Sequence, residues 1–100
     1  MRGYNDLMIL FLLLHGDSYG YEISRQIKEI SHEKYVMKET TLYSAFTRLE
    51  KLGCITSYFG TETNGKQRTY YRITEIGRTL YQEKCEEWML VKEVVDDFIE

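Results

Sequence analysis

A chain of 100 residues has room for one small domain with a modest core, which excludes a separate catalytic domain. The formal charge of -3 is unevenly spread: residues 1–73 hold ten Lys/Arg against eight Asp/Glu, and residues 74–100 hold three against eight. The acid therefore lies in the tail. The remainder is mildly basic, so any grip on nucleic acid is expected to need a dimer and to weaken quickly with salt.

The apolar run Leu7 to Leu14 follows a capping-type Asn5-Asp6 and stops at His15-Gly16, a pattern that predicts a first helix. It is too short to span a bilayer and lacks the basic flank and small-residue cleavage site of a secretory leader, so the expected location is cytoplasmic, with no membrane partner. A helix apolar on every side has to be covered on every side, and a domain this small covers only one. A second copy is the simplest cover. Asp17-Ser18 then offers an N-cap for a second helix with Tyr19, Ile23, Ile27 and Ile30 on one stripe and Glu22, Arg25, Lys28 and Glu29 outside it. Ser31 to Lys38 reads as a polar connection whose Tyr35, Val36 and Met37 tuck beneath the third helix.

In that third helix Leu42, Phe46 and Leu49 recur at i, i+4, i+7, with Ala45 and Leu52 widening the stripe. Ser44, Thr47, Arg48 and Lys51 fall on the other side, and Gly53 stands where a left-handed C-cap is expected. The pattern then changes to β-branched and aromatic residues at period two. It predicts a strand near Ile55 to Phe59, a loop Gly60 to Lys66 with an Asn64-Gly65 turn, and a return strand near Gln67 to Ile73. Lys66, Arg68 and Arg72 alternate on the return strand as a basic stripe suited to a phosphate backbone. Tyr70 and Tyr71 must face opposite sides, with either one buried.

Thr74-Glu75 caps a last helix running to about Phe98. Tyr81, Cys85, Trp88, Val91, Val95 and Phe98 keep four- and three-residue spacings, with Leu90, Val94 and Ile99 beside them. This stripe outruns any fold that could cover it within one chain, so burial against another copy is expected. The fold class is therefore mainly α with a small β-hairpin. Residues 1–73 form a winged helix-turn-helix DNA-binding region and residues 74–100 a long C-terminal dimerisation helix, together one compact domain.

Catalytic and metal chemistry find no support in the pattern. His15 and His32 have no partner at metal-ligand spacing, and Cys54 and Cys85 lie far apart in different elements, as buried or half-buried thiols of a reducing compartment would. No nucleophile-base set and no Gly-rich phosphate loop occur. No enzyme activity, no metal and no cofactor are expected.

Four stretches carry a resemblance: Gly-Tyr-Glu-Ile at 20–23, Thr-Leu-Tyr at 41–43, Arg-Leu-Glu-Lys-Leu-Gly at 48–53, and Arg-Thr-Tyr-Tyr-Arg-Ile-Thr-Glu-Ile-Gly at 68–77. In this order and spacing the chain resembles the PadR family of bacterial transcriptional regulators, and within it the subfamily with a single C-terminal dimerisation helix. The resemblance implies a homodimeric repressor on double-stranded DNA with an inverted-repeat operator. It assigns base and phosphate contacts to Thr40, Thr41, Tyr43, Ser44, Thr47 and Arg48, and wing phosphate contacts to Lys66 and Arg68. Lys51 is read as a solvated helix charge.

Trp88 falls where drug-binding members of that subfamily carry a tryptophan facing its symmetry mate. The resemblance thus implies a small aromatic or cationic effector between paired indoles, with Glu87 or Glu83 favouring the cation. The plainer reading of Trp88 is a packing aromatic without ligand. Where the family often has a richer basic run in the wing, this chain has Lys66-Gln67-Arg68, which implies weaker backbone affinity. The weak basic excess and acidic tail also suit an alternative, a winged-helix module that binds a protein instead of DNA. A small-molecule sensor or carrier is a third reading, resting on Trp88 alone.

Overall fold

The computed structural model describes residues 2–61 and 65–100, so the Asn64 half of the expected Asn64-Gly65 turn lies outside the described residues. Four helices and one hairpin follow in chain order: α1 (Arg2–Leu14), α2 (Gly20–Ile30), α3 (Glu39–Lys51), β1 (Ile55–Thr61), β2 (Gln67–Ile73) and α4 (Glu75–Asp96). This is the mainly α winged-helix architecture that the periodicities predict. Among the described residues, no helix is long and apolar enough to cross a membrane.

The core assembles from the expected stripes. Ile9, Leu10 and Leu13 of α1, Ile23 and Ile27 of α2, and Leu42, Ala45, Phe46 and Leu49 of α3 are buried, closed by Met37, Cys54, Ile55, Tyr71 and Ile73. The hairpin is antiparallel with Tyr58 opposite Tyr70 and Ile55 opposite Ile73. Of the two adjacent tyrosines it is Tyr71 that faces inward, its ring stacked on Phe46 with centroids 3.9 Å apart. The wing is thereby bolted to the back of α3.

Two boundary devices are as expected. Gly53 has φ +76, the left-handed conformation that ends α3 without steric cost. The Thr74 hydroxyl accepts from the Gly77 amide at 3.1 Å and donates to the Gly53 carbonyl at 2.5 Å, so one side chain caps α4 and ties it to the α3–β1 turn. Gly77 itself leaves no room for a Cβ beside the Cys54 carbonyl and Ile73.

Elsewhere local signals gave way to tertiary partners. α1 begins at Arg2, so Asn5 and Asp6 lie inside the helix instead of capping it. Both are buried, held by Tyr35 and Arg48 respectively. Asp17-Ser18 does not cap α2 either: Tyr19 occupies the cap position with no side-chain bond. Ser18 forms an antiparallel bridge with Tyr71, Tyr71 N to Ser18 O at 2.7 Å and Ser18 N to Tyr71 O at 3.2 Å, a short third rung on the open edge of β2. Ile30 and Leu52, placed on the apolar stripes by spacing, are 57% and 55% exposed, because each ends its helix beyond the edge of the core. Val36 is exposed as well, while its neighbour Met37 is buried and Tyr35 packs against the core. β1 runs two residues past Phe59, and α4 stops two residues short of Phe98.

Candidate nucleic-acid interface

The outer side of α3 is defined by what the inner side buries. Opposite Leu42, Ala45, Phe46 and Leu49 stand Thr40, Ser44, Thr47 and Lys51 at i, i+4, i+7, i+11, all exposed on one line along the helix. Three hydroxyls and one lysine ammonium along such a line suit groove edges and phosphates. Thr47 also donates its hydroxyl to the Tyr43 carbonyl at 3.0 Å, which fixes its rotamer. Lys51, read from sequence as a solvated helix charge, belongs to this line. Its helical distance from Thr40 was the signal that could have included it.

The remaining α3 candidates lie on the flanks. Thr41 is half-buried. Tyr43 is 46% exposed, its ring edge-on to Phe46 at 5.5 Å. Its hydroxyl lies over the backbone of Gly20, where a Cβ would sit 2.6 Å from the phenolic oxygen. Gly20 therefore lets the start of α2 and the flank of α3 come together. Arg48 turns toward α1, with Nε donating to Asp6 Oδ2 at 3.3 Å and Nη2 donating to Oδ1. The bonds from Asp6 raise the Arg48 pKa above its ordinary value against an opposing effect of burial. The pair uses two donors of a five-donor fork, which leaves donors for a phosphate.

The wing presents a different surface. Arg68, Tyr70 and Arg72 share one face of β2, and Tyr58 of β1 joins them. The Arg68 guanidinium lies 3.9 Å from the Tyr19 ring centroid, Tyr19 meets Tyr70 edge-on at 5.5 Å, and Tyr70 stacks on Tyr58 at 5.7 Å. Arg72 sits 5.2 Å over Tyr58 and 3.0 Å from Asp17. Gly60, beside the Tyr70 ring, leaves no space for a side chain that would break this stack. The Tyr58 hydroxyl donates to Asp17 at 2.7 Å; that bond, and then Arg72, hold the Asp17 carboxyl below its usual range. The same contact raises the Tyr58 pKa. The basic stripe expected from Lys66, Arg68 and Arg72 is thus shortened, since Arg72 is engaged by Asp17. Lys66 stands exposed just before β2.

Trp88 stands on α4. It is 44% exposed and meets Tyr4 of α1 edge-on at 5.0 Å. Glu87 is exposed and points about 100° around the helix from it, and Glu83 is exposed one turn earlier. Beyond Trp88 every residue to Glu100 is exposed, including Met89, Leu90, Val91, Val94, Val95, Phe98 and Ile99. Among the described residues, no group of three His, Cys, Asp or Glu side chains is placed to hold a metal ion.

Comparison with known proteins bears on this geometry. The model of the transcriptional regulator PadR-like family matches residues 9–83. An uncharacterized protein of Lysinibacillus sphaericus is 45% identical over 100 residues, all of this chain and 92% of that one. Among solved structures, a transcriptional regulator from Clostridium thermocellum is 60% identical with a TM-score of 0.93, covering 99% of this chain and 96% of that one. A PadR family transcription regulator from Clostridium difficile is 34% identical with a TM-score of 0.84, covering 97% and 99%.

Proposed function

This chain belongs to the PadR-like family of transcriptional regulators, and from that premise we propose that it is a homodimeric DNA-binding repressor released by a small aromatic or cationic effector. Its family and structural neighbours are regulators and not enzymes. The observation that carries the DNA part is the outer line of α3, Thr40, Ser44, Thr47 and Lys51, exposed along a helix whose opposite side is anchored in the core. Inserted in the major groove, Thr40, Ser44 and Thr47 of this line meet base edges, while Lys51, Tyr43, Arg48, Lys66 and Arg68 reach backbone phosphates around them.

Apolar surface that one chain leaves open supports the pairing of two copies. The distal half of α4 exposes Val91, Val94, Val95 and Phe98. A second apolar cleft lies between α1 and α2, lined by Leu7, Met8, Phe11, Leu12, Ile27 and Ile30. Burying these surfaces against a second copy pairs the two α4 helices and sets two reading helices on successive half-sites of an inverted repeat. In that dimer Trp88 and its mate offer stacking faces to a flat ligand, and Glu87 supplies the counter-charge for a cation. An effector that changes the spacing of the two heads changes the fit to the half-sites.

The test is a paired substitution, Ser44→Ala with Lys51→Ala, measured by anisotropy of a labelled duplex and by light scattering. Weakened duplex binding by an intact dimer is the expected result; unchanged binding removes α3 as the reading element. Quenching of Trp88 by a panel of planar aromatic cations, without DNA, tests the effector part, which fails if emission stays constant. Affinity insensitive to both salt and added duplex would favour a protein partner.

A further inference from the structure

The first turns of α1 hold four contacts on four consecutive residues. The Gly3 carbonyl accepts from Lys84 Nζ of α4 at 3.5 Å, and Tyr4 meets Trp88 of α4. Asn5 Oδ1 accepts from the Tyr35 hydroxyl at 2.8 Å, in the connection that leads into α3, and Asp6 binds Arg48 of α3. Consecutive helical residues point about 100° apart and rise about 1.5 Å each, so one short stretch reaches α4 on one side and the reading helix on the other.

Its two polar side chains are unusual in their burial. Asn5 and Asp6 are 5% and 7% exposed, within a helix whose other buried side chains are apolar. A hydrophobic residue at either place would pack as well, yet the chain puts a carboxylate there and aims the only arginine of α3 at it. A fork-shaped ion pair fixes both distance and angle, which apolar packing does not.

We infer that Asp6 is a positioning residue for the reading helix, and that the first turns of α1 form a lever between Trp88 and Arg48. A shift of Trp88, by a stacking ligand or by a change in the α4 pairing, displaces Tyr4. The hydrogen-bonded turn carries that displacement to Asp6, and the ion pair passes it to α3. By reciprocity, seating α3 in a groove must disturb Trp88. This inference rests on the reading of α3 as a DNA-reading helix. It requires no effector to be known.

Trp88 is the single tryptophan of the chain, so its emission reports on the lever directly. The experiment titrates the whole protein with a labelled duplex from upstream of its own coding region at low salt, following duplex anisotropy and Trp88 emission together. The wild type is expected to change emission as duplex binds. Asp6→Asn, which keeps the shape and removes the charge, should still bind duplex but lose that emission response. Its preference for this duplex over a scrambled one should fall about tenfold. Tyr4→Leu cuts the lever at the other end without touching the ion pair: affinity should stay within about twofold while the response disappears.

A purely structural Asp6 would lower thermal stability in Asp6→Asn yet leave the emission response intact, and that result overturns the inference. So does a wild type that binds duplex with constant Trp88 emission. Absence of any duplex binding by the wild type overturns the DNA reading itself, and the lever with it.

Discussion

The head formed by α1 to β2 and the distal half of α4 handle their apolar residues in opposite ways. In the head, Leu42, Ala45, Phe46 and Leu49 are buried within one chain, and polar side chains at its joints find partners: Asn5 with Tyr35, Asp6 with Arg48, Asp17 with Tyr58 and Arg72. Past Trp88, α4 keeps the same apolar periodicity with nothing over it. The head buries its main stripes itself but leaves the cleft between α1 and α2 open, while the tail leaves its whole stripe open. Amphipathic spacing alone cannot tell these cases apart; what distinguishes them is whether the rest of the chain is long enough to reach.

The sharpest way to break this contrast is to charge the tail. Val91→Glu with Val95→Glu should dissociate the proposed dimer while the head stays folded. Val91 and Val95 are 37% and 46% exposed, so burying the remainder contributes roughly 0.6–1.3 kcal/mol each, and over two copies the pair shifts dimer affinity on the order of a hundredfold. Light scattering across a dilution series checks it; an unaltered dimer would place the interface elsewhere. In the head, Arg48→Ala should cost roughly 1–2 kcal/mol of stability, between an exposed and a buried pair, since the arginine side chain is 44% exposed and Asp6 only 11%. Thermal melts of the whole protein read this loss, and the same variant should weaken duplex binding. Little change in melting would mean that the pair is screened by solvent.

Lys51→Ala tests the outer line of α3 with no packing to lose. Stability should stay within about 0.5 kcal/mol, and the slope of log affinity against log salt should fall by about one per phosphate contact removed. An unchanged slope would return Lys51 to the solvated charges. The smallest effect concerns the wing and pH. The folded-state Asp17 pKa is depressed, so its contribution is complete above the ordinary carboxylate range and fades as the pH falls below about 4. Tyr58 and Arg72 then lose their acceptor, and protection of the Tyr71 amide, which donates to Ser18, should drop before the α3 amides lose theirs. Simultaneous loss would show that Asp17 does not hold the wing.

Much of the fold was legible because its signals are local. The α3 stripe, the Gly53 stop, the Thr74 cap and the two-residue alternation of the hairpin each depend on neighbours a few residues apart. What escaped depends on distant ones. Asn5 and Asp6 look like a cap until Tyr35 and Arg48, 30 and 42 residues on, take their side chains. Ser18 looks like another until β2 offers it an edge. Ile30 and Leu52 keep the right spacing but stand where the core ends. At the candidate interface, helical spacing put Ser44, Thr47, Arg48 and Lys51 on the outer face, but position within the motif favoured Arg48 over Lys51. Only the position of Asp6 shows that the arginine leans inward and the lysine outward.

The measurement that bears most directly on the central claim is binding of the intact protein to a labelled duplex from upstream of its own coding region, against a scrambled duplex, across a salt series. A groove-reading α3 in a dimer predicts preference for the first duplex, a steep loss of affinity with salt, and one dimer per bound duplex. No binding to either duplex even at low salt would contradict it.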